Sequence, residues 1–276
     1  MKALDIALVG PGRLGSALLR HLAVSGHRVR AVRSRRPHEG PEENMGPRGP
    51  IRDTWDAPEP WPPVDLVFVT VPDRGIGEVG RRLAAAGILR EGTVVLHTSG
   101  LLTAEVLDPC AEAGAAVGSW HPLQSFPATA EHVELRGVYC AVEGDREAVA
   151  AGKQLARNLG MVPWEIEPGA KVLYHAAAAL AANAGHLLVA EARRLLETTG
   201  LGPGRAGTAL APLLRTSIEE ALRAPALQGL TGPMARGDAD VIRRHLEALP
   251  PHLAAAYEAL WRHLEASPLT PPGESD

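Results

Sequence analysis

At 276 residues the chain is longer than a usual domain of roughly 100 to 200 residues and too short for three, so two domains are expected. Apolar residues at 45% and charged residues at 22% match folded globular proteins and exclude extended disorder. The formal charge of −4 provides no basic field for gripping phosphates, which excludes nucleic acid as an expected partner.

The first half alternates short β-branched runs with helical stretches, the pattern of a parallel sheet covered by helices. Strands are expected at 4–9, 28–33, 66–71, 93–97, 115–120 and 138–142, and the stretch 37–63, rich in Pro, Glu and Gly, is expected to be mostly loop. After Pro168 the β-runs give way to Ala- and Leu-rich segments with helical spacing. A long helix is expected over 170–199, closed by Gly200 and buried on several sides, with a second subunit as one source of that cover. Further helices are expected at 205–223, 238–249 and 252–266, followed by a frayed tail over 267–276.

Where the first strand gives way to an amphipathic helix the chain reads Gly10-Pro11-Gly12-Arg13-Leu14-Gly15. In that context Gly10 makes a tight turn, Gly12 lets the backbone approach a pyrophosphate, and Gly15 lets helix and strand pack while helix N–H groups face the anion. This predicts a dinucleotide-binding Rossmann domain over 1–167 and an all-α domain over 168–276. The second strand ends in Arg33-Ser34-Arg35-Arg36 rather than in the carboxylate that accepts the ribose hydroxyls of NAD. Guanidinium groups and a hydroxyl suit the extra phosphate, so NADP(H) is the expected cofactor, gripped by Arg33, Ser34 and Arg35. Val71 and Pro72, after the next strand, fall on the carboxyl edge where open parallel sheets bind ligands.

Two later strands end on that same edge, in His97-Thr98-Ser99-Gly100 and in Ser119-Trp120-His121-Pro122. A histidine beside a hydroxyl can hold a substrate oxygen and pass a proton, which makes His121 and Ser99 candidates. The long helix opens with Lys171 and His175 four residues apart, on one face, with Asn183 two turns on near the same side. A Lys and a His are costly to bury in an Ala/Leu helix unless they face a polar cleft, so this face is expected to point at the cofactor domain. Lys171 or His121 is the expected proton-exchanging group, with His175 and Ser99 orienting the substrate. In the turn-rich stretch Leu230 to Asp238, Arg236 is a candidate clamp for a substrate carboxylate, and Asp238 is expected to cap the next helix.

His97-Thr98-Ser99-Gly100, His121-Pro122, Tyr174-His175-Ala176-Ala177 and Thr231-Gly232-Pro233 with Arg236-Gly237-Asp238 resemble a bacterial branch of Rossmann-like proteins with a C-terminal domain of unknown function. More broadly the chain is similar to dehydrogenases whose helical domain is related to that of 6-phosphogluconate dehydrogenase. These include pyrroline-5-carboxylate reductase, ketopantoate reductase, 3-hydroxyisobutyrate dehydrogenase and prephenate dehydrogenase. The resemblance implies that Ser99 and His121-Pro122 contact a substrate hydroxyl as in prephenate dehydrogenases, and that Lys171 resembles the helix lysine of hydroxyisobutyrate dehydrogenases and ketopantoate reductases. His175 stands where those enzymes carry Asn. Dimerisation through the helical domain is also implied.

The expected function is an NADP-dependent oxidoreductase acting on a small keto, imino or hydroxy acid; the alternative is an NADP(H)-sensing module without catalysis. The two cysteines, Cys110 and Cys140, have no metal or disulfide spacing, no signal segment is read, and no apolar run of about 18 residues is read. A cytoplasmic homodimer with a small-molecule substrate, no metal and no membrane partner is therefore expected.

Overall fold

The computed structural model describes residues 3–35, 51–54, 61–128, 132–202, 204–224 and 228–266. Its sheet has the strand order β3-β2-β1-β4-β5-β6-β7-β8. The strands are β1 Asp5–Val9, β2 Arg28–Ser34, β3 Ile51–Thr54, β4 Leu66–Val69, β5 Val94–His97, β6 Ala116–Pro122, β7 Tyr139–Gly144 and β8 Val162–Glu165. Every neighbouring pair is parallel except β6 and β7, which are antiparallel. Helices α1 Arg13–Val24 and α4 Arg146–Asn158 cover one face, and α2 Asp73–Ala85 with α3 Asp108–Glu112 cover the other.

The alternation of side chains along each strand sorts the core into two layers. Ile6, Leu8, Val32, Leu66, Phe68, Leu96, Trp120 and Val142 pack under α1 and α4, whereas Ala7, Val9, Ala31, Val67, Val69, Val95 and Val117 pack under α2 and α3. Burial on both faces explains why these strands read as near-continuous apolar runs. The fold is thus the expected α/β Rossmann architecture followed by helices.

Two strands escape the sequence pattern. Ile51–Thr54 pairs with β2 inside the stretch read as loop, where flanking Pro and Gly conceal a strand of four residues. Val162–Glu165 contains Pro163 and lies at the sheet edge, the one place a strand can spare an N–H. Strand β6 also runs past its expected end, because the antiparallel β7 pairs His121 with Ala141 and Pro122 with Cys140. Most of 37–63 and the tail 267–276 lie outside the described residues.

The chain divides into two compact units, 1–185 and 186–276. The boundary falls inside a helical run composed of α5 Lys171–Ala179, a wide π-helical turn Leu180–Ala184, α6 Gly185–Leu196 and a second wide turn Glu197–Leu201. Gly200 takes φ +91 in that last turn, the conformation for which a glycine stop was expected. The second unit continues with α7 Arg205–Arg223, α8 Gly232–Arg236, α9 Ala239–Ala248 and α10 Pro251–Ala266. Helix α8 occupies the stretch read as a turn-rich break, with Pro233 in its first turn where a missing N–H costs nothing.

The long helix differs from expectation in two respects. Within one chain it is not covered on several sides, since Val172, Leu173, Leu180 and Leu187 are all exposed, so its own chain does not supply the expected burial. And it does reach membrane-crossing length: Pro168–Leu201 spans 34 residues with a mean hydropathy of 1.4 in its most apolar stretch. Between Lys171 and Glu191 no Asp, Glu, Lys or Arg occurs, and the abundance of alanine masks how apolar the segment is.

Candidate active site at the carboxyl edge of the sheet

The glycine turn lies where β1 meets β4, the point at which successive connections leave the sheet in opposite directions. Gly10 turns the chain with φ +92, its N–H bonded to the Arg33 carbonyl at 2.8 Å. A Cβ on Gly10 would lie 2.6 Å from Val71 Cγ1, and one on Gly15 would lie 2.6 Å from both the Gly10 carbonyl oxygen and Thr70 Oγ1. Gly12, by contrast, faces open space: a Cβ there would have the Gly10 carbonyl oxygen, 4.0 Å away, as its nearest neighbour. Helix α1 starts there with no side-chain cap and no acidic residue in its first turn. Its first N–H groups and the positive end of its dipole are left for an anion, which is the cradle a dinucleotide pyrophosphate requires. Arg13 is exposed and Leu14 half-buried beside it, and the Pro11 carbonyl is held by the Ser16 hydroxyl at 3.0 Å.

Arg33 is not presented to a ligand in this arrangement. Its side chain is 1% exposed, lies over the Trp61 ring at 5.2 Å and donates to the Thr54 carbonyl, so it braces the β2–β3 edge. Ser34 is half-buried and Arg35 exposed at the strand end. Val71 packs against the glycine turn, while Pro72 is exposed and opens α2.

Two strands further along the sheet, pairing register places His97, Ser119 and Glu143 side by side on β5, β6 and β7. Glu143 accepts from the Ala104 N–H and from the Ser119 hydroxyl, each at 3.1 Å. Lys171, at the start of α5, reaches into this row: its Nζ donates to Ser119 Oγ at 2.6 Å and lies 3.6 Å from Glu143. Burial lowers the Lys171 pKa, and the carboxylate of Glu143 works against that shift. The lysine is 1% exposed with its amine on Ser119 and Glu143, and in this arrangement it anchors the helix to the sheet.

That anchor sets a register. His121 follows Ser119 by two residues on the same face of β6, and Tyr174 and His175 follow Lys171 by one turn on the same face of α5. The second contact of the docked helix is accordingly between Tyr174 and His121, with the phenol oxygen 2.6 Å from Nδ1 and the rings edge to face. The His175 ring lies 6.3 Å from that of His121. Both lean over Gly100, where a Cβ would come within 2.9 Å of His121 Cε1 and Nε2 and of His175 Cδ2. Among the described residues His121 Nε2 and both ring nitrogens of His175 have no hydrogen-bond partner. Burial, with the nearby charges of His175 and Lys171, lowers His121 to about 4, so the ring is neutral at pH 7.

Ser99 is spent on its own loop. Its hydroxyl donates to Asp73 at 2.9 Å and accepts from the N–H groups of Leu101 and Leu102, leaving it nothing to offer a substrate. His97 is held in turn by the Ser99 N–H on Nδ1 and by the Thr103 carbonyl on Nε2, which fixes a neutral ring lowered to about 4 by burial. These two residues shape the ledge that carries Gly100. Asn183 is exposed in the π-helical turn. In the second unit Arg236 is paired with Asp238 at 2.7 Å, so Asp238 stands at the helix start with its carboxylate on Arg236 rather than on backbone N–H groups.

The structure brings together His121 and His175, both candidates in the sequence, and adds Tyr174, Gly100 and Glu143, to which sequence reasoning gave no role. Gly100 carried a signal, since a glycine directly after a strand-end Ser marks a close approach. Glu143 carried none, because only strand register brings it to Lys171.

A Rossmann-like domain model matches residues 1–122, and the model for a domain of unknown function, DUF2520, matches residues 138–264. No curated protein matches the sequence. Among solved structures, a Bacteroides fragilis protein described as an NADP oxidoreductase is similar at 24% identity, covering 95% of this chain and 98% of its own, with a TM-score of 0.78. An imine reductase from Myxococcus stipitatus in complex with NADP+ gives 16% identity, 95% and 94% coverage and a TM-score of 0.62. The Plasmodium falciparum pyrroline carboxylate reductase with NADP bound gives 12% identity, 96% and 98% coverage and a TM-score of 0.60. At these identities the likeness establishes the fold.

Proposed function

We propose, for a chain that joins a Rossmann-like domain to a DUF2520 domain, the activity of an NADP(H)-dependent oxidoreductase acting on a small carbonyl, imine or hydroxy compound. The observation that carries this reading is the shared carboxyl edge of β1, β4, β5 and β6: the open cradle at Gly10, Gly12 and Gly15 and the two histidines over Gly100 both sit on it. The names of the similar solved structures, two of them with an NADP cofactor bound, support the same class. Bound at the cradle, the dinucleotide would supply or accept a hydride.

The chain's own residues have separate tasks. The first turn of α1 and Gly12 hold the pyrophosphate, and Arg13 with Ser34 and Arg35 provides cationic and hydroxyl contacts for the extra phosphate. His121 exchanges the proton on the substrate heteroatom, and His175, beside it, orients that atom. Lys171 and Ser99 hold the ledge rather than touching substrate. Cys110 and Cys140 are buried thiols with raised pKa values, inert side chains that suit a reducing cytoplasm. The exposed apolar side chains of the helical run support association with a second copy.

The test is titration of the purified protein with NADPH and NADH, followed by nicotinamide fluorescence. NADPH is expected to bind at least about tenfold more tightly, with Arg35→Ala narrowing the gap. Absence of binding by either nucleotide would overturn the reading. Once binding is established, oxidation of bound NADPH by small keto acids and cyclic imines identifies the substrate class.

A further inference from the structure

The ring of His121 is held at one nitrogen only. Its Nδ1 shares a 2.6 Å hydrogen bond with the Tyr174 hydroxyl, while Nε2, on the Gly100 side, has no partner among the described residues. Tyr174 is itself fixed: its ring meets Trp164 edge-on at 5.2 Å, and the helix that carries it is pinned one turn earlier by Lys171 on Ser119. Burial raises the Tyr174 pKa, so the phenol keeps its proton across the neutral range. A protonated phenol beside a neutral imidazole donates to the ring nitrogen, the stronger acceptor, and the ring proton is then left on the other nitrogen.

We propose that Tyr174 is the positioning residue of the proton donor: it fixes His121 as the Nε2–H tautomer and replaces the proton that Nε2 gives to the substrate. This rests on the oxidoreductase reading and gives it a specific acid. In the reduction direction the dinucleotide, when bound, would supply the hydride for the new C–H bond, the π pair of the C=O or C=N bond would move to the heteroatom, and His121 would give that atom its Nε2 proton. The Tyr174 proton passes to Nδ1 as the N–H bond at Nε2 breaks, so the ring ends neutral in its other tautomer. The phenolate then regains a proton from water. A neutral imidazole is a weak acid, but an alkoxide or amide anion forming at the heteroatom is a stronger base, so the transfer runs downhill. His175, with no bond to either ring nitrogen, is free to hold the same heteroatom from the other side of Gly100.

The geometry also explains why Gly100 is a glycine. Any side chain there would push His121 and His175 away from the ledge and break the alignment with Tyr174.

The test is 15N NMR of the ring nitrogens in histidine-labelled protein, with His121→Gln identifying the resonances, on the wild type and on Tyr174→Phe. Phenylalanine keeps the ring against Trp164 and removes only the hydroxyl. The wild type is expected to show His121 protonated on Nε2, and Tyr174→Phe a mixture of tautomers. Turnover with NADPH in Tyr174→Phe is expected to fall about 100-fold, with the Kd for NADPH unchanged within error and the thermal midpoint lowered by only about 2 to 8 °C, the cost of one lost buried hydrogen bond. A wild-type ring protonated on Nδ1, or a tautomer identical in the two proteins, overturns the proposal, as does unchanged turnover. If neither nucleotide binds, the cofactor reading fails separately, and the tautomer measurement still decides what Tyr174 does.

Discussion

At the glycine turn the chain makes its ligand surface by withholding side chains, whereas at the histidine ledge it makes one by tying buried polar groups together. The first region tolerates no added atom at positions 10 and 15, which are closed by backbone and by the short side chains of Val71 and Thr70, packed in place. The second depends on groups whose partners come from four different segments, β5, β6, β7 and α5, so removing one leaves others buried and unpaired. A steric site fails all at once when filled, while a polar site fails in proportion to the bond that is lost.

The sharpest way to break this contrast is Gly15→Val. The new Cβ meets the Gly10 carbonyl at 2.6 Å, so the turn must open, and NADPH binding is expected to fall below detection by fluorescence titration. Binding retained within about tenfold of wild type would show that α1 and β1 need not pack closely at this point. Next in size is Lys171→Met, which leaves Glu143 as a buried charge without its cation. A loss of about 3 to 5 kcal/mol in a denaturant titration is expected. A change of less than about 1 kcal/mol would mean that the lysine is not the anchor of α5.

The smallest effect per residue is with pH. Both His97 and His121 are lowered to about 4 in the folded chain, against about 6.5 when unfolded. The unfolded state therefore binds protons more readily, and acid favours unfolding. Stability is complete above about pH 6.5 and is lost as the pH falls from there through about 4, by roughly 3 kcal/mol for each ring. The groups facing these rings are Lys171, His175 and Tyr174 from α5, together with Asp73 at the start of α2. Urea midpoints at about pH 7 and about pH 4.5 measure the effect, and equal midpoints would show that neither ring is held neutral.

Much of the sheet was legible because its strands are β-branched runs buried on both faces, and the glycine turn was legible because its spacing reflects steric need at each position. Strand β8 was hidden by Pro163, which an edge strand accommodates and a central strand does not, and the four residues of β3 by the Pro and Gly that flank them in sequence. The partners of Arg33, Ser99 and Lys171 were not legible for one reason. Residue type shows what a side chain can bond to, but Trp61, Asp73 and Glu143, which occupy these three, are brought near only by folding. The length of the apolar helix was misread because its many alanines mask how apolar the segment is.

Three of the five tryptophans fall in three different settings, and this makes the protein its own optical instrument. Trp120 is wholly buried against Phe68, so its emission follows the integrity of the sheet core. Trp61 lies over Arg33 beside the second strand, next to the residues expected to meet the ribose end of a dinucleotide. Trp164 is 36% exposed and touches the Tyr174 ring, so its emission follows events at the histidine ledge. Replacing these three one at a time by phenylalanine, in a chain that also lacks Trp55 and Trp261, would separate unfolding, cofactor arrival and substrate arrival into three signals, without attaching a dye.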